Sequence, residues 1–262
     1  MSFLQVQGHR PEYALIPGGD SHAPMLVFLY EGLGSLEMWK DFPSRCVDAT
    51  GCGALIYSRY GYGNSDPLKQ PRRVDFMHDE ALNALPELLD KLGVEPPILF
   101  GLRDGGSRAL IHAGVAGREV RGLILLAPHV MVEDFGLRSI EASKQPYETT
   151  CLRDKLARYH ADPDSAFRGW NDIWLHPDLR LEYRGIPAAH HLPGSRHSRR
   201  GRPVRDHGAD RADRPRHSTD RDVETEELRP LSPHRDQPEA VIQRVAQFVK
   251  GIRNDHVKQH HL

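Results

Sequence analysis

The stretch that most constrains this chain is Pro97-Ile98-Leu99-Phe100-Gly101-Leu102-Arg103-Asp104-Gly105-Gly106-Ser107. Its apolar run reads as a short buried strand, the glycines as a sharp turn, and Ser107 to Ala116 as a helix. Gly101 and Gly105 flank Arg103 at a distance of two residues on each side. Glycine at both places lets strand and helix approach closely, because no Cβ stands between them. The turn then lifts the side chain at its tip, Arg103. A guanidinium stays protonated and only donates hydrogen bonds, so the tip carries a fixed charge and no nucleophile.

The chain around this turn alternates apolar strands with amphipathic helices. Residues 3–16 read as two short strands broken between Gly8 and Pro11, and Pro17-Gly18-Gly19-Asp20 as a turn. Met25–Leu29 is a continuous apolar run, as in a strand buried on both faces of a parallel sheet. The glycine-rich loop Tyr30–Ser35 follows, then a predicted helix from Glu37 to Thr50 with Ser35 as its cap. Ala54–Tyr57 is the next strand, ahead of the turn-rich Ser58–Pro67. Phe76, Leu82, Leu85, Leu88, Leu89 and Leu92 have helical spacing over Asp75–Leu92, and Gly122–Ala127 is a further strand. This order predicts an α/β architecture, a mostly parallel, doubly wound sheet.

From 135 to 180 the pattern changes. Aromatic residues and charges recur at helical spacing (Phe135, Tyr147, Tyr159, Phe167, Trp170, Trp174) with no strand, which predicts a small helical lid. From 185 to 231 aliphatic residues thin out, aromatic ones are absent, and Arg, His, Asp, Pro and Gly crowd together with neither period 2 nor period 3.6. Pro238-Glu239 then opens a final helix with Val241, Ile242, Val245, Phe248 and Val249 on one face. The expected organisation is a core of 1–134 and 232–253, a lid of 135–180, an aberrant segment of 185–231 and a tail of 254–262.

The 262 residues suit one domain with an inserted cap, and a net charge of -1 gives no general pull toward nucleic acid or acidic membranes. Cys46, Cys52 and Cys151 lack disulfide or zinc spacing. No apolar run has membrane-spanning length, and the first residues carry no signal pattern, so a cytoplasmic protein is expected. No cofactor or metal is implied. His190, His191, His197 and His207 sit on no readable element, and the basic run Ser195–Arg205 lacks interleaved aromatics, so neither metal nor nucleic acid is expected there. The expected partner is a small-molecule ligand or substrate.

Residues 3–180 and 232–252 resemble the α/β-hydrolase superfamily, in particular small capped enzymes such as lactonases and meta-cleavage-product hydrolases. The resemblance is carried by Leu29–Ser35, by Ser58-Arg59-Tyr60-Gly61-Tyr62-Gly63-Asn64-Ser65, by the turn at 101–105 and by Ser232-Pro233-His234. Strand, Gly-x-Ser-x-Gly and helix form the nucleophile elbow of that family. The resemblance implies a triad of Ser, acid and His in that order, with two backbone N–H groups as an oxyanion hole. It places the nucleophile at Arg103 and the oxyanion donors at Asp104 and at Gly32 or Leu33. It also puts a pocket beside Tyr30, Glu31 and Leu102, and the catalytic His at Leu231. Tyr30 and Leu102 stand where relatives carry other residues, commonly His at the first. The acid would fall inside 185–231 and has no assignable residue.

That segment has two readings: a frame-shifted translation of a strand, the acid loop, a helix and the last strand, or a disordered basic insertion. The first accounts for its composition and for the return of the pattern at Ser232. Two functions follow. One is a serine hydrolase of small ester, lactone or related carbonyl compounds, impaired by Arg103 and Leu231. The other is a non-catalytic protein binding a small, anionic ligand in the lidded pocket. His234 is read as a loop residue before the last helix, Ser107 as bonding backbone, and Trp39 as pocket or core.

Overall fold

The computed structural model describes residues 1–20, 23–179 and 233–259. Leu231, the histidines at 190, 191, 197 and 207, and the whole segment 185–231 lie outside them.

Among the described residues six strands form one sheet in the order β1-β2-β4-β3-β5-β6: β1 Ser2–Phe3, β2 Glu12–Ile16, β3 Leu26–Leu29, β4 Ala54–Tyr57, β5 Ile98–Leu102 and β6 Gly122–Leu126. β1 and β2 run antiparallel to their neighbours, whereas β4, β3, β5 and β6 are parallel. Every residue of β3, β4 and β5 is buried, because side chains alternate between two covered faces. Leu26, Phe28, Ala54, Ile56, Ile98 and Phe100 face one way and pack against α1 (Phe42–Thr50) and the C-terminal helix Pro238–Gln259. Val27, Leu29, Leu55 and Leu99 face the other way, against Leu85, Leu88 and Leu89 of α3 (Leu85–Leu92) and Ala109 of α4 (Asp104–Val115). The sheet is thus doubly wound, as its apolar runs predict.

Local chemistry moves several helix boundaries. The helix expected from Glu37 is split. Leu36–Trp39 forms a 3-10 turn, Lys40 turns back at φ 55, and α1 starts at Phe42 with Pro43 in its first turn. A proline has no N–H for a carbonyl one turn earlier, and its ring disfavours a helical residue before it. Ser35 precedes the 3-10 turn, but its side chain makes no cap bond. The second helical run starts at Phe76 with α2 (Phe76–Asp79). It widens to a π turn over Glu80–Ala84 just ahead of Pro86, then continues as α3. Four helices follow β6: α5 Asp134–Ala142, α6 Lys144–Thr149, α7 Leu152–Ala157 and α8 Pro163–Trp174. Asp162 caps α8, its carboxylate accepting from the Ser165 N–H at 2.8 Å. The short helix Pro233–Asp236 is α9. The C-terminal helix, α10, continues to Gln259, past the end expected near 253. Among the described residues no helix is long and apolar enough to cross a membrane.

The glycines of the turn are explained by two close approaches. A Cβ on Gly101 would stand 2.5 Å from the Gly106 Cα, and one on Gly105 would overlap the Leu29 carbonyl. Gly105→Ala is therefore expected to destabilise by more than about 3 kcal/mol or to abolish soluble folding. Gly136→Ala, where nothing lies within 4 Å, should be neutral or stabilising by about 0.5–1 kcal/mol, as for a glycine inside a helix. Urea unfolding of the two variants checks the contrast.

Candidate active site at the elbow

Arg103 sits between β5 and α4 with φ 49 and ψ -113, a conformation a side-chain-bearing residue rarely adopts. Its N–H still bonds the Leu126 carbonyl at 2.9 Å, so the strand ladder holds the tip from one side. From the other side α4 starts at once, three residues earlier than its predicted start at Ser107, and it is buried from Asp104 through Ala113. Over-determination of this kind is what sustains a strained backbone.

The Arg103 side chain does not stand alone. Its Nε lies 3.2 Å from Glu31 Oε2, with the two side chains 26% and 27% exposed. Burial pushes the Glu31 carboxyl above its ordinary range, and the Arg103 charge opposes that shift. The next residue, Asp104, is only 2% exposed. Its Oδ2 accepts from Trp174 Nε1 at 3.3 Å, and its Oδ1 is 3.9 Å from His129 Nε2. The α8 helix therefore closes over the tip through Trp174, and also through Trp170, whose ring occupies the space a Cβ on Gly32 would need.

The loop after β3 is held beside the tip by two buried arginines. Arg59, 4% exposed, donates from Nη2 to the carbonyls of Glu31 (3.2 Å) and Gly32 (2.9 Å). Arg108, equally buried, donates to the Tyr30 carbonyl. In a trans peptide the C=O and the following N–H point in opposite directions. Fixing the Glu31 and Gly32 carbonyls therefore turns the N–H groups of Gly32 and Leu33 the other way. Those two and the N–H of Asp104, at the start of α4, donate to nothing among the described residues.

The other expected site residues lie elsewhere. Leu102 is fully buried and Tyr30 nearly so, both in the sheet core rather than along a pocket. Tyr30 OH accepts from Arg235 at 2.7 Å and packs edge-on against Trp39. Trp39 is core, stacked on Phe42 and meeting Phe28 and Phe100 edge-on. His234 lies inside the short α9 helix, not in a loop. It is buried against Tyr30, Trp39 and Phe42, and neither ring nitrogen has a hydrogen-bond partner. Ser107 Oγ bonds the His129 carbonyl at 2.5 Å, a backbone partner as expected, and it is fully buried.

Two residues were not singled out in the sequence. Arg59 lies within a motif that carries the family resemblance. His160 bears no motif; its Nδ1 accepts from the Gly63 N–H at 2.9 Å and its Nε2 donates to the Leu33 carbonyl at 3.1 Å. It therefore ties the stretch between α7 and α8 to the loop after β3. Among the described residues no group of three or more His, Cys, Asp or Glu side chains is placed to hold a metal.

No protein-family model matches this sequence, and no curated protein matches it. Solved structures do. An α/β hydrolase fold protein from Burkholderia ambifaria superimposes with a TM-score of 0.54 at 16% identity, over 71% of this chain and 74% of that one. MGS-M2, an α/β hydrolase from a Medee basin deep-sea metagenome library, gives 0.52 at 17% identity, over 73% and 75%. An epoxide hydrolase mutant of Vigna radiata gives 0.54 at 14% identity, over 70% and 73%. The chain has the α/β-hydrolase fold. At the turn between β5 and α4 it carries an arginine paired with glutamate.

His160 and His234 are held neutral by burial, each lowered from 6.5 to about 4. The unfolded chain takes up protons at both sites below about pH 6.5, whereas the folded chain resists until about pH 4. Stability should therefore fall as pH drops from about 6.5 to 4 and level off below, by on the order of 3 kcal/mol per histidine. His160→Phe should remove roughly half of that dependence. Urea midpoints between about pH 7.5 and 4 test this, and an unchanged slope in the variant would contradict it.

Proposed function

We propose that this chain uses a hydrolase scaffold to bind a small carbonyl compound, of ester or lactone type, without turning it over through an acyl-serine. The observation that carries this reading is the elbow tip itself: Arg103 occupies it, ion-paired to Glu31. Nucleophilic catalysis of this kind needs a hydroxyl or thiol beside a base, and a guanidinium is neither. What survives is the binding half of the machinery. Three free N–H groups, at Gly32, Leu33 and Asp104, are available to a carbonyl oxygen, and Trp170 and Trp174 supply apolar cover. Because Glu31 balances Arg103, this site favours a neutral carbonyl ligand over a free anion. A scaffold shared by enzymes of different chemistries supports no finer substrate.

The test combines turnover with binding. The full chain should hydrolyse p-nitrophenyl acetate no faster than buffer, and a fluorophosphonate probe should label no serine. Arg103→Ser alone should not recover activity, because the position expected to supply the base is Leu231; losing one triad member removes several orders of magnitude in rate. A small lactone should change the tryptophan fluorescence, since Trp170 lies against Gly32. Turnover by the unaltered chain that the fluorophosphonate abolishes would replace this reading with an active serine hydrolase.

A further inference from the structure

A cavity of about 570 Å³ lies between the β1–β2 turn, the segment Arg59–Tyr60, the stretch Leu68–Arg73 and α2. Its volume is in the range of small-molecule sites. Gly32, Leu33, Arg103 and Asp104 do not line it; Arg59 does, its Nη2 holding the Glu31 and Gly32 carbonyls while its Nη1 has no hydrogen-bond partner among the described residues.

The charges around this cavity do not balance locally. Its carboxylates are engaged: Asp75 accepts both Arg73 bonds at 3.1 and 2.8 Å, Glu80 accepts from Tyr57 OH at 3.0 Å and faces Arg108 at 3.8 Å, and Asp79 accepts from Asn83 at 2.7 Å. Arg59, Lys69 and Arg72 have no carboxylate within 4.0 Å among the described residues. The Arg59 and Arg72 guanidinium carbons lie 4.4 and 4.7 Å from the centre of the same ring, Tyr62. Arg59 Nη1 and Arg72 Nε are buried and unbonded. Arg72 also lies over the Phe76 ring at 5.6 Å, and its Nη2 donates to the Tyr60 carbonyl at 2.6 Å. Carbonyl dipoles and a π face disperse positive charge without neutralising it, and buried charge in folded proteins is normally paired. Burial, with the neighbouring Arg59 charge acting in the same direction, pulls Arg72 below the usual arginine value. Arg59, which burial alone would lower, is held above it by Tyr62, Glu80 and Asp104, so the deficit of negative charge lies at Arg72. The stacked His9–Tyr60 pair, with ring centroids 3.6 Å apart, together with Leu68 and Phe76 gives the cavity a flat, apolar wall.

We propose that this cavity binds a small molecule bearing a carboxylate or phosphate group on a planar apolar body. The anion stands against Arg59 and Arg72, Lys69 guards the entrance, and the body lies along the His9–Tyr60 wall. This does not rest on the reading of the elbow.

Calorimetric titration of the full chain with benzoate, phenyl phosphate, inorganic phosphate and neutral benzamide tests the proposal and separates the two anions. Benzoate or phenyl phosphate should bind, weakening as salt rises, whereas benzamide should not. Lys69→Gln, an exposed position, should weaken binding about threefold, and Arg72→Gln about tenfold or more. Should Arg72→Gln fail to fold, Lys69→Gln decides. Arg103→Ser, at the other site, should leave the titration unchanged. Binding of benzamide as tight as benzoate, anion binding lost in Arg103→Ser, or no binding of any of the four at about 10 mM would overturn the proposal.

Discussion

The contact on which the rest of this molecule depends is the backbone approach of α4 to β3 and β5. Gly101 meets Gly106, and Gly105 meets the Leu29 carbonyl, with no room for a single methyl group between them. That approach buries α4 from its first residue. It also sets Arg108 across the sheet edge, where it reaches the Tyr30 carbonyl, and it brings Asp104 beneath Trp174. The backbone strain at Arg103, on the order of 1–3 kcal/mol, is a small fraction of what the surrounding burial supplies. A Cβ at either glycine would separate helix from sheet and remove the restraint that keeps the tip bent.

A second layer of organisation comes from buried polar side chains that bind backbone. Glu12, fully buried, accepts from Ser58 Oγ at 2.6 Å and from the N–H and side chain of Asn64 at 3.0 and 2.9 Å. It thus folds the loop after β4 around one carboxylate. Gly63, at φ 60, is where that loop passes the carboxylate, and a Cβ there would collide with it. The same loop delivers Arg59 to the carbonyls of Glu31 and Gly32. One buried acid on an outer strand therefore bears, through a short chain of contacts, on the direction of two N–H groups at the elbow. Burying each of these groups without partners would cost more than the bonds themselves contribute.

The parallel strands, the elbow and the two-faced core were legible because each rests on a local rule: unbroken apolar runs for strands buried on both faces, glycine spacing for the turn. Boundaries were less so. Pro43 and Pro86 split or widened helices whose apolar spacing alone read as continuous. Within the site, Gly32, Leu33 and Asp104 were placed by resemblance, and the structure shows what turns the first two. The partners of Arg103 were not legible. Glu31 is 72 residues away in sequence, and pairing across that separation follows from the register of β3 against β5, where Leu29 lies opposite Gly101. Tyr30 and Leu102 illustrate the opposite error. Both flank site residues in sequence, yet period-2 alternation carries their side chains into the core.

This division explains how the elbow persists with an arginine at its tip. The turn is enforced by Gly101, Gly105, Gly106 and the Leu126 carbonyl, none of which senses the identity of the tip side chain. Arg103 and Glu31 are each about a quarter exposed, and an ion pair so placed contributes on the order of 1 kcal/mol or less. The tip residue is thus nearly uncoupled from folding, while the donors at Gly32 and Leu33 are tied into it through Arg59. Changing the side chain at the tip therefore carries little structural cost. Replacing Arg59 would disturb both the loop carbonyls and a buried charge. The packing therefore constrains the backbone of this turn and of the loop after β3 far more than it constrains the side chain at the tip.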